Sequence, residues 1–178
     1  MLIRKGTAAD LLPLEKCDFS FNVNHIARGP FIDSELRIES LSEPFIKTYE
    51  LDLQTLEDHC VKPDALFLLA ETGERDIAGF ITASLHNSHI VSIDYLATDS
   101  ALRRHGAARK LMSAVHRWAE EKNAAGLRLE TQNVNVPACL FYRQYGFELA
   151  GYDRYLYDAL PQPEKDEVAL FWYYRMNN

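Results

Sequence analysis

Apolar positions along the 178-residue chain recur at two different periods, and the switches between those periods lay out the elements. The apolar start at residues 2–5 predicts a short strand, and Thr7 then caps a short helix through Leu11, Leu12 and Leu14. Between residues 16 and 48 no period emerges: Phe19, Phe21, Val23, Ile26, Phe31 and Ile32 are scattered among polar residues, Gly29 and Pro30. A long, aromatic-bearing stretch of this kind often covers a site. Leu53 to Cys60 allows a helix. The runs Ala65–Ala70 and Ile77–Leu85 read as strands joined by a turn at Thr72–Asp76, and a second turn at His86–Ser88 leads into a strand from His89 to Ala97. Three strands in succession predict an antiparallel meander.

The most regular helical pattern follows, over Gly106–Lys122. Ala108, Leu111, Met112, Val115, Trp118 and Ala119 recur on one face, while Arg109, Lys110, Arg117, Glu120 and Glu121 fill the other. After Gly126 comes a strand from Leu127 to Thr131. Asn135 then caps a helix with Pro137 in its first turn. Ala138, Phe141, Tyr142 and Tyr145 fall at i, i+3, i+4, i+7, and Gly146 stops the helix. Phe147–Tyr157 and Val168–Arg175 are the last two strands, separated by a loop over Pro161–Asp166. The order predicts an α/β (α+β) fold with a mixed, mostly antiparallel sheet of six to seven strands flanked by helices. The helix at Gly106–Lys122 acts as the crossover that makes two of the strands parallel. No repeat or linker divides the chain, so residues 1–178 are expected to form one domain.

Charge and rarer residues narrow the chemistry. A net charge of −7 argues against binding nucleic acid and suits a cationic small-molecule substrate. No apolar run reaches eighteen residues, which predicts no membrane span, and the opening decapeptide has no signal-peptide core, so a cytoplasmic location is expected. Cys17, Cys60 and Cys139 form no close pair and read as buried thiols. The six histidines show no ligand spacing, so no metal is expected. His86, His89 and His105 read as turn or solvated residues, and no serine–histidine–acid set is evident.

The chemistry-bearing segment lies where the His89–Ala97 strand gives way, through a charged turn, to the amphipathic helix. A flexible loop feeding a helix N-terminus points several backbone N–H groups at one place, and the helix dipole adds positive potential, which suits a pyrophosphate. In this loop, Arg103 to Ala108 fit Q/R-x-x-G-x-G/A, the acetyl-CoA loop of GNAT acetyltransferases. Asn135, Ala138, Phe141, Tyr142, Gly146 and Phe147 fit the N-x-x-A-x-x-F-Y-x-x-x-G-F signature that follows in that superfamily. Further patches, at Lys47–Tyr49, Leu129–Asn135, Gly151–Tyr157 and Ala169–Tyr173, resemble the streptothricin N-acetyltransferase group within it.

The resemblance implies acetyl transfer from acetyl-CoA to a primary amine in a ternary complex, with streptothricin as the favoured substrate and antibiotic resistance as the outcome. It places Arg103, Arg104, Gly106, Ala107 and Ala108 at the pyrophosphate, with Ala108 standing where many members carry glycine. The backbone of Leu96 and Ala97 lies along the pantetheine, beside a bulge in the strand, and Asn135 also contacts the cofactor. Tyr142 matches the position of the general acid. Asp94 is the first candidate for accepting the amine's proton and Glu130 the runner-up; the alternative for both is binding the cationic substrate without proton transfer, and Asp153 joins them as a substrate contact. The rival readings are a GNAT enzyme for another amine (a polyamine, an amino sugar or a protein amino group) and a non-catalytic CoA-binding regulatory module. A monomer or a homodimer is expected.

Overall fold

A computed structural model describes residues 1–31, 35–74 and 76–176 of the protein; Ile32, named above, and residue 75 of the predicted turn lie outside them. In chain order the elements are β1 (Leu2–Lys5), α1 (Leu11–Leu14), β2 (Phe21–Arg28), β3 (Arg37–Lys47), α2 (Leu53–Val61), β4 (Ala65–Glu71), β5 (Ile77–Leu85) and β6 (Ile90–Thr98), followed by α3 (Ala107–Glu121), β7 (Gly126–Gln132), α4 (Val136–Tyr145), β8 (Glu148–Asp153) and β9 (Ala169–Arg175). The fold is mixed α/β with mostly antiparallel sheet, as the sequence predicts. The chain forms two compact units.

The first unit holds residues 1–21, 48–127 and Met176. Its strands run in the order β1-β4-β5-β6, each antiparallel to its neighbour, so the predicted meander is present. Leu14, Leu56, Phe67, Leu69, Ile77 and Phe80 form its core, and Phe80 meets Phe19 edge-on at 5.3 Å. Each such side chain contributes about 1.5–3 kcal/mol on burial. Helix α3 buries Leu111, Met112, Val115 and Ala119, the stripe its periodicity predicts. Thr7 does cap the first helical turn, with the acid supplying the acceptor: the Thr7 N–H and hydroxyl both donate to Asp10, each at 2.8 Å.

The second unit holds residues 22–47 and 128–175. Its sheet strands follow the order β7-β9-β8, with β8 and β9 antiparallel, and β2 and β3 form a separate two-stranded sheet. Those last two strands occupy the stretch where the sequence shows no period. The reason is plain for β3, which is exposed along most of both faces, so no alternation marks it. Asn133 anchors β2: its N–H pairs with Val168 O at 3.0 Å, its side-chain amide donates to Ala27 O at 3.1 Å, and its carbonyl accepts from Ala27 N at 2.8 Å. Helix α4 runs between the predicted stops, with Gly146 at φ +115 closing it. Strand β8 is shorter than the predicted Phe147–Tyr157. It ends at Asp153, whose Oδ1 accepts the Tyr155 N–H at 2.8 Å and turns the chain.

Candidate active site

In the first unit, β5 and β6 pair regularly from Gly79 opposite Thr98 to Thr82 opposite Tyr95. The register then jumps so that Ala83 faces Ile93. Asp94 is the extra residue at this bulge, which is the irregularity the resemblance implied for this strand. Leu96 and Ala97 lie on the regular side, opposite Ile81 and Phe80. The strands approach closely here, and a Cβ on Gly79 would sit 2.5 Å from the Ala97 carbonyl oxygen.

Beyond β6 the chain makes a single 3-10 turn at Ser100–Leu102 and enters the arginine loop. The Arg103 guanidinium folds back, donating from Nε and Nη2 to Thr98 O at 3.2 and 3.1 Å, so its main effect is to close the loop. Arg104 and Gly106 adopt left-handed conformations, φ +64 and +83. These set Ala107 and Ala108 as the first residues of α3, whose N–H groups find no acceptor within the helix. Open space surrounds the position a Cβ would take on Gly106. A left-handed glycine beside open space at a helix N-terminus fits a pyrophosphate. His105 directs Nδ1 at Leu102 O, 3.3 Å away, and His86 and His89 lie in the β5–β6 turn, as read from the sequence.

Three donors converge on the Asp94 carboxylate. Its Oδ2 lies 2.9 Å from His59 Nε2 and accepts the Ser84 hydroxyl, and Ser92 adds a side-chain hydrogen bond. Burial pushes this carboxyl up, and the bonds from His59 and Ser84 outweigh it, holding Asp94 below its ordinary range. His59 moves the opposite way: its bond to Asp94 raises it, against burial. The sequence reading passed over His59. The signal was present, because Leu53, Leu56 and Cys60 form the apolar stripe of α2 and His59 sits on it, a polar ring in a core position.

In the second unit, Asn135 caps α4, its Oδ1 accepting Ala138 N at 3.3 Å. Tyr142 is buried among rings, with centroids of Phe141 at 5.6 Å, Phe147 at 5.9 Å and Trp172 at 6.2 Å. Burial drives its phenol well above the usual tyrosine value. Glu130, exposed on β7, accepts the Tyr157 hydroxyl at 2.5 Å, and Gln132 Nε2 donates to that same oxygen at 3.0 Å. Tyr157 too is pushed up, by burial and then by Glu130. Asp153 is occupied in its turn. Lys47 and Glu167 form a buried ion pair that Glu164 extends at 3.5 Å. Burial raises Glu167, partly offset by Lys47. Lys47 and Tyr157 belong to the patches that resembled one group of enzymes, while their bonding to Glu167 and Glu130 was not visible along the chain.

Comparison with known proteins follows the same line. The chain is 31% identical over 140 residues, 77% of each protein, to streptothricin acetyltransferase A of Bacillus subtilis. It is 32% identical over 140 residues to a streptothricin acetyltransferase of Escherichia coli, covering 79% of this chain and 75% of that one. A crystal structure from Bacillus anthracis, assigned as a streptothricin acetyltransferase and containing acetyl coenzyme A, superposes with a TM-score of 0.86 at 32% identity, covering 99% of this chain and 98% of that one. Residues 34–147 match the acetyltransferase (GNAT) family as a whole. An amphipathic helix behind a glycine loop, an acid at a strand bulge and these relatives together place the chain in the GNAT acetyltransferase family.

Proposed function

We propose that this acetyltransferase moves an acetyl group from acetyl-CoA to a primary amine of a cationic small molecule, streptothricin, by direct attack within a ternary complex. The observation that carries the reading is Asp94, set at the strand bulge and held ionised by three donors. The relatives named for streptothricin and the related structure containing acetyl coenzyme A support it. The overall charge of −7 favours the approach of a polycation.

In this reading the loop from Arg103 to Ala108, with Arg104 and the amides of Ala107 and Ala108, receives the pyrophosphate, and the backbone of Leu96 and Ala97 faces the pantetheine. Asn135 is a further cofactor contact. An amine of lysine type holds its proton with a pKa of about 10.4, more than six units above a carboxyl of ordinary pKa about 3.9, and Asp94 lies lower still. Any carboxylate takes that proton only in passing to water, and Asp94, held ionised by its donors, is assigned the anchoring of the ammonium. Glu130, which accepts a neutral hydroxyl and no cation in the bonds described above, is assigned the proton, directly or through water, with Asp153 as an outer carboxylate for the substrate. The freed amine nitrogen attacks the thioester carbonyl and the C–S bond breaks. As the amide forms, the attacking nitrogen loses its second proton, which passes through water to Tyr142 and replaces the phenol proton that the departing thiolate takes. In water the transfer from phenol to thiolate runs uphill, from about 10 to about 8.5. It becomes feasible where the thiolate forms in surroundings as dry as those of the phenol.

The test is release of free thiol from acetyl-CoA by purified protein with streptothricin, alongside spermidine, an amino sugar and a lysine peptide. Turnover specific to streptothricin, with resistance in cells expressing the chain, is the expected result. Turnover on another amine alone would reassign the substrate. Acetyl-CoA binding without turnover on any amine would make the chain a CoA-binding module.

A further inference from the structure

The His59 ring faces two acceptors. Its Nδ1 lies 2.6 Å from the Thr55 carbonyl oxygen one turn back in α2, and its Nε2 lies 2.9 Å from Asp94 Oδ2. A carbonyl oxygen and a carboxylate only accept, so both ring nitrogens must carry hydrogen for both contacts to be bonds. The Ser84 hydroxyl, 3.3 Å from Nε2, gives its own hydrogen to Asp94. Access separates the two partners. The His59 side chain is 7% exposed and that of Asp94 27%, so a solute reaches the carboxylate and not the ring.

We propose that His59 is a positioning residue: as an imidazolium locked between Thr55 and Asp94, it holds the Asp94 carboxylate ionised and aimed to receive the ammonium of the substrate. This rests on the role of Asp94 given above. The other groups around the ring leave it cationic. Just past the end of α2 Lys62 opposes the charge weakly, and Asp58 on the helix favours it. Strand β5 and helix α1 carry no titratable side chain, the one in β4 is Glu71, which is bound to Arg4 at 2.7 Å, and β6 offers Asp94 and Tyr95. The raised titration of His59 agrees with the geometry. When the Nε2 hydrogen is lost at high pH, Nδ1 keeps its hydrogen and still donates it to Thr55 O, and an Nε2 lone pair then faces the carboxylate. The clamp opens, and amine binding weakens in step.

The experiment has two arms. Nitrogen-15 NMR of the full chain reads the protonation of His59 directly, without substrate. Both nitrogens are expected to be protonated at neutral pH, reverting to a neutral ring in Asp94→Asn. A neutral His59 in the wild-type chain would overturn the proposal. The second arm measures KM and kcat for streptothricin against pH in wild type and in His59→Gln, whose amide still donates toward Asp94 and cannot titrate. The wild-type KM should climb by about tenfold across the titration of His59, the loss of one charge-assisted bond, with the effect falling on KM more than kcat. The His59→Gln profile should be flat there. Superimposable profiles would overturn the positioning role. Should wild type acetylate no amine at all, the proposed function falls instead, and the ring measurement still decides the His59–Asp94 pair.

Discussion

Asp94 and Tyr142 are both acids that burial pushes toward the neutral form, and they end on opposite sides of their ordinary values. Around Asp94 the protein supplies His59, Ser84 and Ser92 as donors, and these outweigh desolvation. Around Tyr142 it supplies Phe141, Phe147 and Trp172. Trp172 even buries its own Nε1–H with no partner among the described residues. Depth alone therefore does not set protonation; the presence of donors does. In the proposed reaction, one region keeps a charge ready for a cation, and the other keeps a proton ready for an anion that forms only as the thioester breaks.

The sharpest way to break this contrast is Tyr142→Phe. It leaves the ring packing in place and removes the proton, so kcat for acetyl transfer should fall about 100- to 10,000-fold, with acetyl-CoA affinity by calorimetry nearly constant. Unaltered turnover would strip Tyr142 of its role. Asp94→Asn comes next. Losing a charge-assisted bond to the ammonium, worth about 1.5–3 kcal/mol, should raise KM for the amine about 10- to 150-fold. A fall in kcat alone would return Asp94 to the role of base.

A smaller effect is expected at the loop. Gly106→Val puts a β-branched side chain at φ +83, a strain of roughly 1–2 kcal/mol that acetyl-CoA titration should report as roughly 5- to 30-fold weaker binding. An unchanged dissociation constant would mean the glycine serves the helix only. The smallest effect is on stability. Asp94 titrates low in the folded state, so its contribution is present above the unfolded value and fades as acid is added through the depressed one. His59 titrates high, so its contribution is whole below 6.5 and fades as pH rises through its raised folded value. The pair is thus most stabilising between about pH 4 and 6.5. Scanning calorimetry should show the unfolding temperature declining on the alkaline side by roughly 2–4 °C per kcal/mol lost, and His59→Gln should remove that decline.

Periodicity and stop signals along the chain gave the meander, the stripe of α3, the Asn135 cap and the Gly146 stop, because each depends on residues within a turn or two of one another. The two motifs gave the family for the same reason: a phosphate loop is a local backbone shape. The bulge at Asp94, the His59 ring on Asp94, the Tyr157 hydroxyl on Glu130 and the Lys47–Glu167 pair join residues 27 to 120 positions apart or turn on strand register. Strand β3 escaped notice because most of its side chains face water on both sides. Local order follows from neighbouring residues, while protonation depends on which distant donor folding delivers to a carboxylate or withholds from a phenol.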